Sequence, residues 1–187
     1  MSKQKRIIVL GHSGFLGKSL YKKFREIFDQ SEIIGLSSKE LDLTDAGNMG
    51  VLSRLCHDHT SLVICSAIKS DEGNSLDSFK KNLAMAENIT RVCEATSLDK
   101  VVYISSNSVY GVFQEKGVIE ENTPVCPDTF YGLSKYTFEQ LLQILYSSSD
   151  RLLILRPATI YGPGEKIFPQ TPSGFLNTYL AGRTATV

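Results

Sequence analysis

Short apolar runs, largely β-branched, recur along this 187-residue chain at Arg6 to Leu10, Glu32 to Leu36, Leu62 to Cys65, Val101 to Ser105 and Leu152 to Leu155. Their interiors do not alternate apolar with polar, as a strand with one wet face would, so they predict strands of a parallel sheet covered on both faces. Longer stretches between them predict helices over Phe15 to Phe28, Asp45 to Asp58, Leu76 to Ser97 and Tyr131 to Ser147. Strand followed by helix, repeated, is the pattern of an α/β fold with a doubly wound parallel sheet. Crossovers between parallel strands are right-handed, which narrows the arrangement to a Rossmann-like one. Two stretches break the rhythm, Gly111 to Thr129 and Pro157 to Ser173. Both begin at the carboxyl ends of predicted strands, the edge where open α/β sheets take their ligands, and they are the expected walls of a cleft.

Composition alters this picture little. Hydrophobic residues at 42% and charged residues at 21% are ordinary for a globular chain and exclude disorder. Lys plus Arg and Asp plus Glu balance at 20 each, so no broad field attracts nucleic acid or an anionic membrane. The polar start, Met1 to Arg6, passes into only four apolar residues before a glycine turn, too few for a secretory core, and a cytoplasmic location is expected. Cys56, Cys65, Cys93 and Cys126 show no close pairing and are expected to be reduced, mostly buried thiols. His12, His57 and His59 have no metal-ligand spacing, and no metal is expected.

Candidate chemistry begins at Gly11-His12-Ser13-Gly14-Phe15-Leu16-Gly17, which follows the first strand and opens the first helix. In that context the spacing suits a dinucleotide: Gly11 for the tight turn, Gly14 for close approach of a pyrophosphate, Gly17 for helix against strand, with helix N–H groups left for the phosphates. The same glycines also suit an ordinary turn. At the end of the second predicted strand, where sites for NAD often place an acidic residue, stand Ser37, Ser38 and Lys39. Hydroxyls and an ammonium would accommodate a 2′-phosphate, a lean toward NADP over NAD, though a solvated turn has the same composition. Downstream, Tyr131 and Lys135 lie four residues apart and so share one helix face. A nearby cation favours a phenolate, which makes the pair a proton-transfer device beside a nicotinamide or, on the alternative reading, part of a plain amphipathic helix.

With these motifs in order, the chain resembles an extended short-chain dehydrogenase/reductase of the NAD(P)-dependent epimerase/dehydratase family, whose members act largely on nucleotide sugars. The resemblance spans essentially the whole sequence. It implies an adenine contact from Asp42 and the Leu43 backbone, a loop of small residues under the cofactor at Ser66 and Ala67 with Lys69 reaching it, a shaping role for Asn82, and nicotinamide contacts near Pro157 and Thr159. It also implies that Ser106 holds the substrate oxygen, Tyr131 transfers the proton, and Lys135 lowers the tyrosine's pKa while bonding the nicotinamide ribose. Ser105 and Ser108 compete with Ser106 for that role, and a strand-end serine can instead cap backbone groups. Dehydratases of the family carry an Asp-Glu pair directly after the active-site hydroxyl, where this chain has Asn107 and Ser108, so the resemblance points to epimerisation or keto reduction. A non-catalytic NAD(P)-binding module is the other function class.

The family usually continues into a smaller substrate lobe beyond a helix like the one predicted over Phe175 to Ala181. The expectation is therefore a single dinucleotide-binding domain over 1–187, with the lobe missing or truncated after Val187, either in a piece of a longer enzyme or in a short relative that uses the cofactor fold alone. A homodimer through helices 76–97 and 131–147 is expected by the same resemblance. Phe138, Leu141, Leu142 and Leu145 would serve that contact or the chain's own core.

Overall fold

The structure is a computed structural model and describes residues 4–68, 74–111, 118–165 and 172–182. Five parallel strands form one sheet: β1 (Arg6–Leu10), β2 (Glu32–Leu36), β3 (Thr60–Ile64), β4 (Lys100–Ile104) and β5 (Leu152–Leu155). Their order is β2-β1-β3-β4-β5, so the direction of winding reverses between β1 and β3. The register pairs Ile8 with Ile34 on one side and Leu62 on the other, and Val102 with Leu153 across β4 and β5. Ile8, Leu10, Leu62, Ile64 and Val101 are wholly buried, as continuous apolar runs in a covered sheet require. At the edge strand β5 the expectation of two covered faces gives way to alternation, with Leu153 and Leu155 exposed.

The helices are α1 (Phe15–Ile27), α2 (Met49–Leu55), α3 (Leu76–Ala95) and α4 (Phe130–Leu145). Helix α3 starts at a reciprocal capping box between Ser75 and Ser78 and buries Ser78, Asn82, Ala86, Ile89 and Cys93 along one stripe. Helix α4 starts where the Thr129 hydroxyl accepts the Gly132 N–H at 3.0 Å. Its inner stripe runs Lys135, Phe138, Glu139, Leu142, and it packs against α3. Phe138 and Leu142 are therefore core residues; Leu141 and Leu145 are partly buried against the same core.

The helix expected over Asp45 to Asp58 is shorter. Asp45 caps a 3-10 turn, Ala46–Asn48, by accepting the Gly47 N–H at 2.8 Å, and α2 ends at Leu55. Gly47 and Gly50 weaken helix propensity there, and β3 begins two residues earlier than its apolar run suggests, with Thr60 buried. The thiols are less buried than expected: only Cys93 is fully so, and Cys126 is exposed. By internal contact the chain divides into two compact units, Met1–Arg156, which holds the whole sheet, and Pro157–Val187, which contains α5 (Pro172–Leu180).

Candidate active site

The switch between β1 and β3 places two loops side by side. Gly11 continues β1 by donating its N–H to Leu36 at 2.7 Å, and it passes so close to the loop after β3 that a Cβ on it would lie 2.9 Å from the Ser66 nitrogen. A Cβ on Gly17 would fall 2.2 Å from the Gly11 carbonyl oxygen, so no other residue lets α1 rise this tightly out of the turn. Gly14 differs. It is exposed, its φ is −72°, and a Cβ there would meet nothing nearer than the Gly11 oxygen at 3.4 Å. The space it leaves lies over the first turn of α1, where no side chain caps the helix and the leading N–H groups have no intrahelical partners. Ser13 is exposed beside it, with Phe15 and Leu16 half-buried. Such a cradle suits a pyrophosphate.

At the end of β2 the structure supplies a carboxylate that strand-end reasoning missed. The turn from Ser37 brings Glu40 back so that its carboxylate accepts the Ser37 N–H at 2.8 Å and the Ser37 hydroxyl as well. Those two bonds hold the Glu40 carboxyl below its ordinary pKa. Ser37 is buried, while Ser38, Lys39 and Glu40 are exposed. His12, in the glycine loop, lies over Gly35, and its Nδ1 is buried with no hydrogen-bond partner among the described residues. Asp42 accepts both the N–H and the hydroxyl of Thr44, at 2.9 and 2.7 Å, and the carbonyl of buried Leu43 accepts from Asn88 of α3 at 3.0 Å.

A small cavity beside α3, α4 and β4 brings together Ser66, Ala67, Asn82, Tyr103 and Lys135. Asn82 clamps the loop after β3 by accepting the Ile68 N–H at 2.9 Å and donating to the Ile68 carbonyl at 3.0 Å. Lys69 lies outside the described residues. Lys135 is buried; its Nζ donates to the Ile104 carbonyl at 2.8 Å and sits 4.9 Å from the Tyr103 ring centre and 5.8 Å from that of Tyr131. Burial disfavours its ammonium and lowers its pKa to about 8, against an upward pull from Cys65 and Glu139. The Tyr131 N–H is held by Asn74 Oδ1 at 3.3 Å.

Ser106 ends β4's extension and begins a 3-10 turn, Asn107–Tyr110. Its hydroxyl accepts the Ser108 N–H at 3.1 Å and lies 3.1 Å from the Ser108 hydroxyl, so it does act as a cap. Ser105, its competitor, is buried with its hydroxyl unpartnered among the described residues. The turn sits hard against α4: a Cβ on Gly132 would come within 2.3 Å of the Ser108 carbonyl oxygen. Glycine between Tyr131 and Leu133 is thus what lets the serine turn and the tyrosine helix touch. Pro157 and Thr159 belong to the second unit, where Thr159 is exposed.

Three residues outside the expected set complete the region. Glu139, wholly buried, accepts from Arg156 Nε at 3.0 Å and Nη2 at 2.7 Å, and Arg156 Nη1 donates to the Tyr110 hydroxyl at 2.9 Å. The signal in the sequence was a glutamate on the apolar stripe of α4, four residues after Lys135.

A model of the NAD dependent epimerase/dehydratase family matches residues 7–183. Over 186 residues the chain is 26% identical to an uncharacterized UDP-glucose epimerase of Bacillus subtilis, covering 86% of this chain and 58% of that one. It is 25% identical over 185 residues to a 2-alkyl-3-oxoalkanoate reductase of Shewanella oneidensis, covering 88% of this chain and 47% of that one. The chain thus spans about half the length of the curated relatives it matches. Among solved structures, its fold overlays a Thermus thermophilus UDP-glucose 4-epimerase complexed with NAD at a TM-score of 0.78 and 23% identity, covering 97% of this chain and 65% of that one. It overlays a Bacillus anthracis dTDP-4-dehydrorhamnose reductase in complex with NADP at 0.74 and 23%, covering 97% and 60%.

Proposed function

This chain belongs to the NAD dependent epimerase/dehydratase family, and on that premise we propose that it provides the dinucleotide-binding and hydride-transfer part of an enzyme acting on a nucleotide-linked sugar, by epimerisation or keto reduction. The observation that carries the proposal is the seating of Gly132 on the Ser108 carbonyl, which fixes the serine turn against the helix of Tyr131 and Lys135. The cradle over Gly14 fits a pyrophosphate, with Gly11 to Gly17, including Ser13, Phe15 and Leu16, around it. Ser66, Ala67, Asn82 and Lys135 line a small cavity and are proposed to take the next part of the cofactor, with Asp42, Leu43, Lys69, Pro157 and Thr159 as further contacts.

When bound, the nicotinamide supplies or accepts the hydride. Ser106 holds the substrate oxygen, Tyr131 passes its phenolic proton to or from that oxygen, and the Lys135 ammonium favours the phenolate. Asn107 and Ser108 offer no carboxyl, so elimination of water has no acid-base pair directly after the serine. The structures with NAD and with NADP support a nicotinamide dinucleotide without choosing between them. Ser38 and Lys39 favour NADP, while the Glu40 carboxylate, seated on Ser37, opposes a 2′-phosphate.

The test has two parts. Calorimetric titration with NADH and NADPH should show one site per chain. In the full-length protein, Tyr131→Phe should abolish hydride transfer toward a panel of nucleotide sugars while leaving cofactor affinity within about twofold. Turnover retained in Tyr131→Phe refutes its role, and stoichiometric binding with no transfer by the wild type favours a non-catalytic module. Dimerisation through α3 and α4 is proposed as well, supported by exposed Leu76, Leu133 and Ile144 on those helices, and sedimentation velocity tests it. Among the described residues no helix is long and apolar enough to cross a membrane.

A further inference from the structure

Glu139 is a carboxylate with no exposed surface, placed one helical turn beyond Lys135 on the face of α4 that otherwise buries Phe138 and Leu142. Its two oxygens are gripped by one guanidinium, with Arg156 Nε 3.0 and 3.2 Å from them and Nη2 at 2.7 Å. The remaining arm of Arg156 reaches the Tyr110 hydroxyl at 2.9 Å, and the guanidinium lies 5.0 Å from the centre of that ring. Tyr110 is buried and ends the 3-10 turn that Ser106 begins. A single side chain from the end of β5 therefore ties the helix of Tyr131 and Lys135 to the turn of Ser106.

A buried ion pair is a poor device for stability alone, because the desolvation of two charges offsets their attraction and apolar residues of similar volume often do as well. What a bidentate pair supplies beyond apolar packing is fixed direction. We propose that the Glu139–Arg156–Tyr110 network is a positioning device for the hydride-transfer site, holding the Ser106 turn in register with the Tyr131–Lys135 face of α4. This rests on the hydride-transfer reading above. It adds a second tie at the far end of the turn to the one that Gly132 makes at Ser108.

The network also bears on the charge of Lys135. Among the described residues, the groups facing that ammonium are Cys65 from the end of β3, Tyr103 and the Ile104 carbonyl from β4, and Tyr131 and Glu139 from α4 itself. Of these, Glu139 is the carboxylate, and Arg156 keeps it in place. Loss of the Glu139 charge would leave Arg156 uncompensated on the same side, and both changes disfavour the Lys135 ammonium.

The test uses the whole chain, with 13Cε-labelled lysine, carrying Glu139→Gln or Tyr110→Phe. Tyr110→Phe removes one hydroxyl and keeps the ion pair. It should leave the Lys135 midpoint in place but speed amide exchange of Val109 and Gly111, whose N–H groups close the turn on Ser106 and Ser108, by about tenfold, with core strand amides unchanged. Glu139→Gln should lower the Lys135 midpoint, about 8 in the wild type, by roughly one pH unit and weaken NADH binding about fivefold at about pH 8 but little at about pH 6. An unmoved Lys135 midpoint in Glu139→Gln, or wild-type exchange in Tyr110→Phe, overturns the proposal. If Glu139→Gln does not fold, the exchange rates of Tyr110→Phe decide alone. Should wild type fail to bind NADH while the midpoint and exchange shift as stated, the dinucleotide reading fails and the network stands.

Discussion

Lys135→Met is the substitution whose outcome follows most directly from the structure, and it should stabilise the fold. The ammonium is buried, with the Ile104 carbonyl as its hydrogen-bonded acceptor, and burial lowers its pKa from 10.5 to about 8. In the unfolded chain the lysine keeps its ordinary value, so between about pH 8 and pH 10.5 the unfolded state holds the proton more tightly and stability rises with pH. Below that window both states are charged and the folded form bears the full penalty, about 3 kcal/mol for a difference of this size. Methionine removes the charge and forgoes one hydrogen bond worth about 1 kcal/mol, so at neutral pH the variant should be more stable by about 2 kcal/mol. Near pH 10 most of the wild-type penalty has vanished, and the variant's advantage should shrink to zero or change sign. Urea unfolding of both proteins at about pH 7 and about pH 10, compared as a difference so that other titrating groups cancel, measures this. A difference that is constant across that range would refute the buried-ammonium argument.

Other outcomes follow from the same geometry. Gly14→Val, at a position with ordinary φ and open space, should unfold within about 1 kcal/mol of wild type yet lose NADH and NADPH binding by fluorescence titration, because the branched side chain fills the cradle. Glu40→Gln should raise affinity for NADPH relative to NADH by about tenfold, read from the two dissociation constants, by removing a negative charge beside Ser37. Leu142→Ala, wholly buried on the inner stripe of α4, should lower unfolding free energy by about 3 kcal/mol in urea without changing the unfolding slope.

Much of the fold was legible in the chain because its signals are local. A run such as Ile7 to Leu10 or Leu62 to Ile64 specifies a covered strand whatever surrounds it, and its start and end shift only when a neighbour such as Thr60 is drawn into the ladder. The stretch after Asp45 was less legible, since Gly47 and Gly50 weaken its helix to a 3-10 turn and the seven residues of α2 while its apolar spacing still resembles one long helix. The glycine loop, Ser106, Tyr131 and Lys135 could be named as candidates from motif and order. Lys39's role could not be weighed, because the turn that brings Glu40 back onto Ser37 depends on hydrogen bonds within that loop and leaves no periodic trace.

By itself, then, the sequence determined the alternation of strand and helix and the order along it of the glycine loop, Ser106, Tyr131 and Lys135, the candidates for phosphate and proton, since each depends on a few neighbouring positions. Only the tertiary structure decided that Phe138 and Leu142 face the chain's own core, and that Glu139 meets Arg156, 17 residues away, which in turn meets Tyr110, 46 residues away. Periodicity assigns a residue to a face of its own element. Which charges share a buried space is set by how the sheet orders its strands and where a glycine permits two backbones to touch, and those are properties of the closed fold.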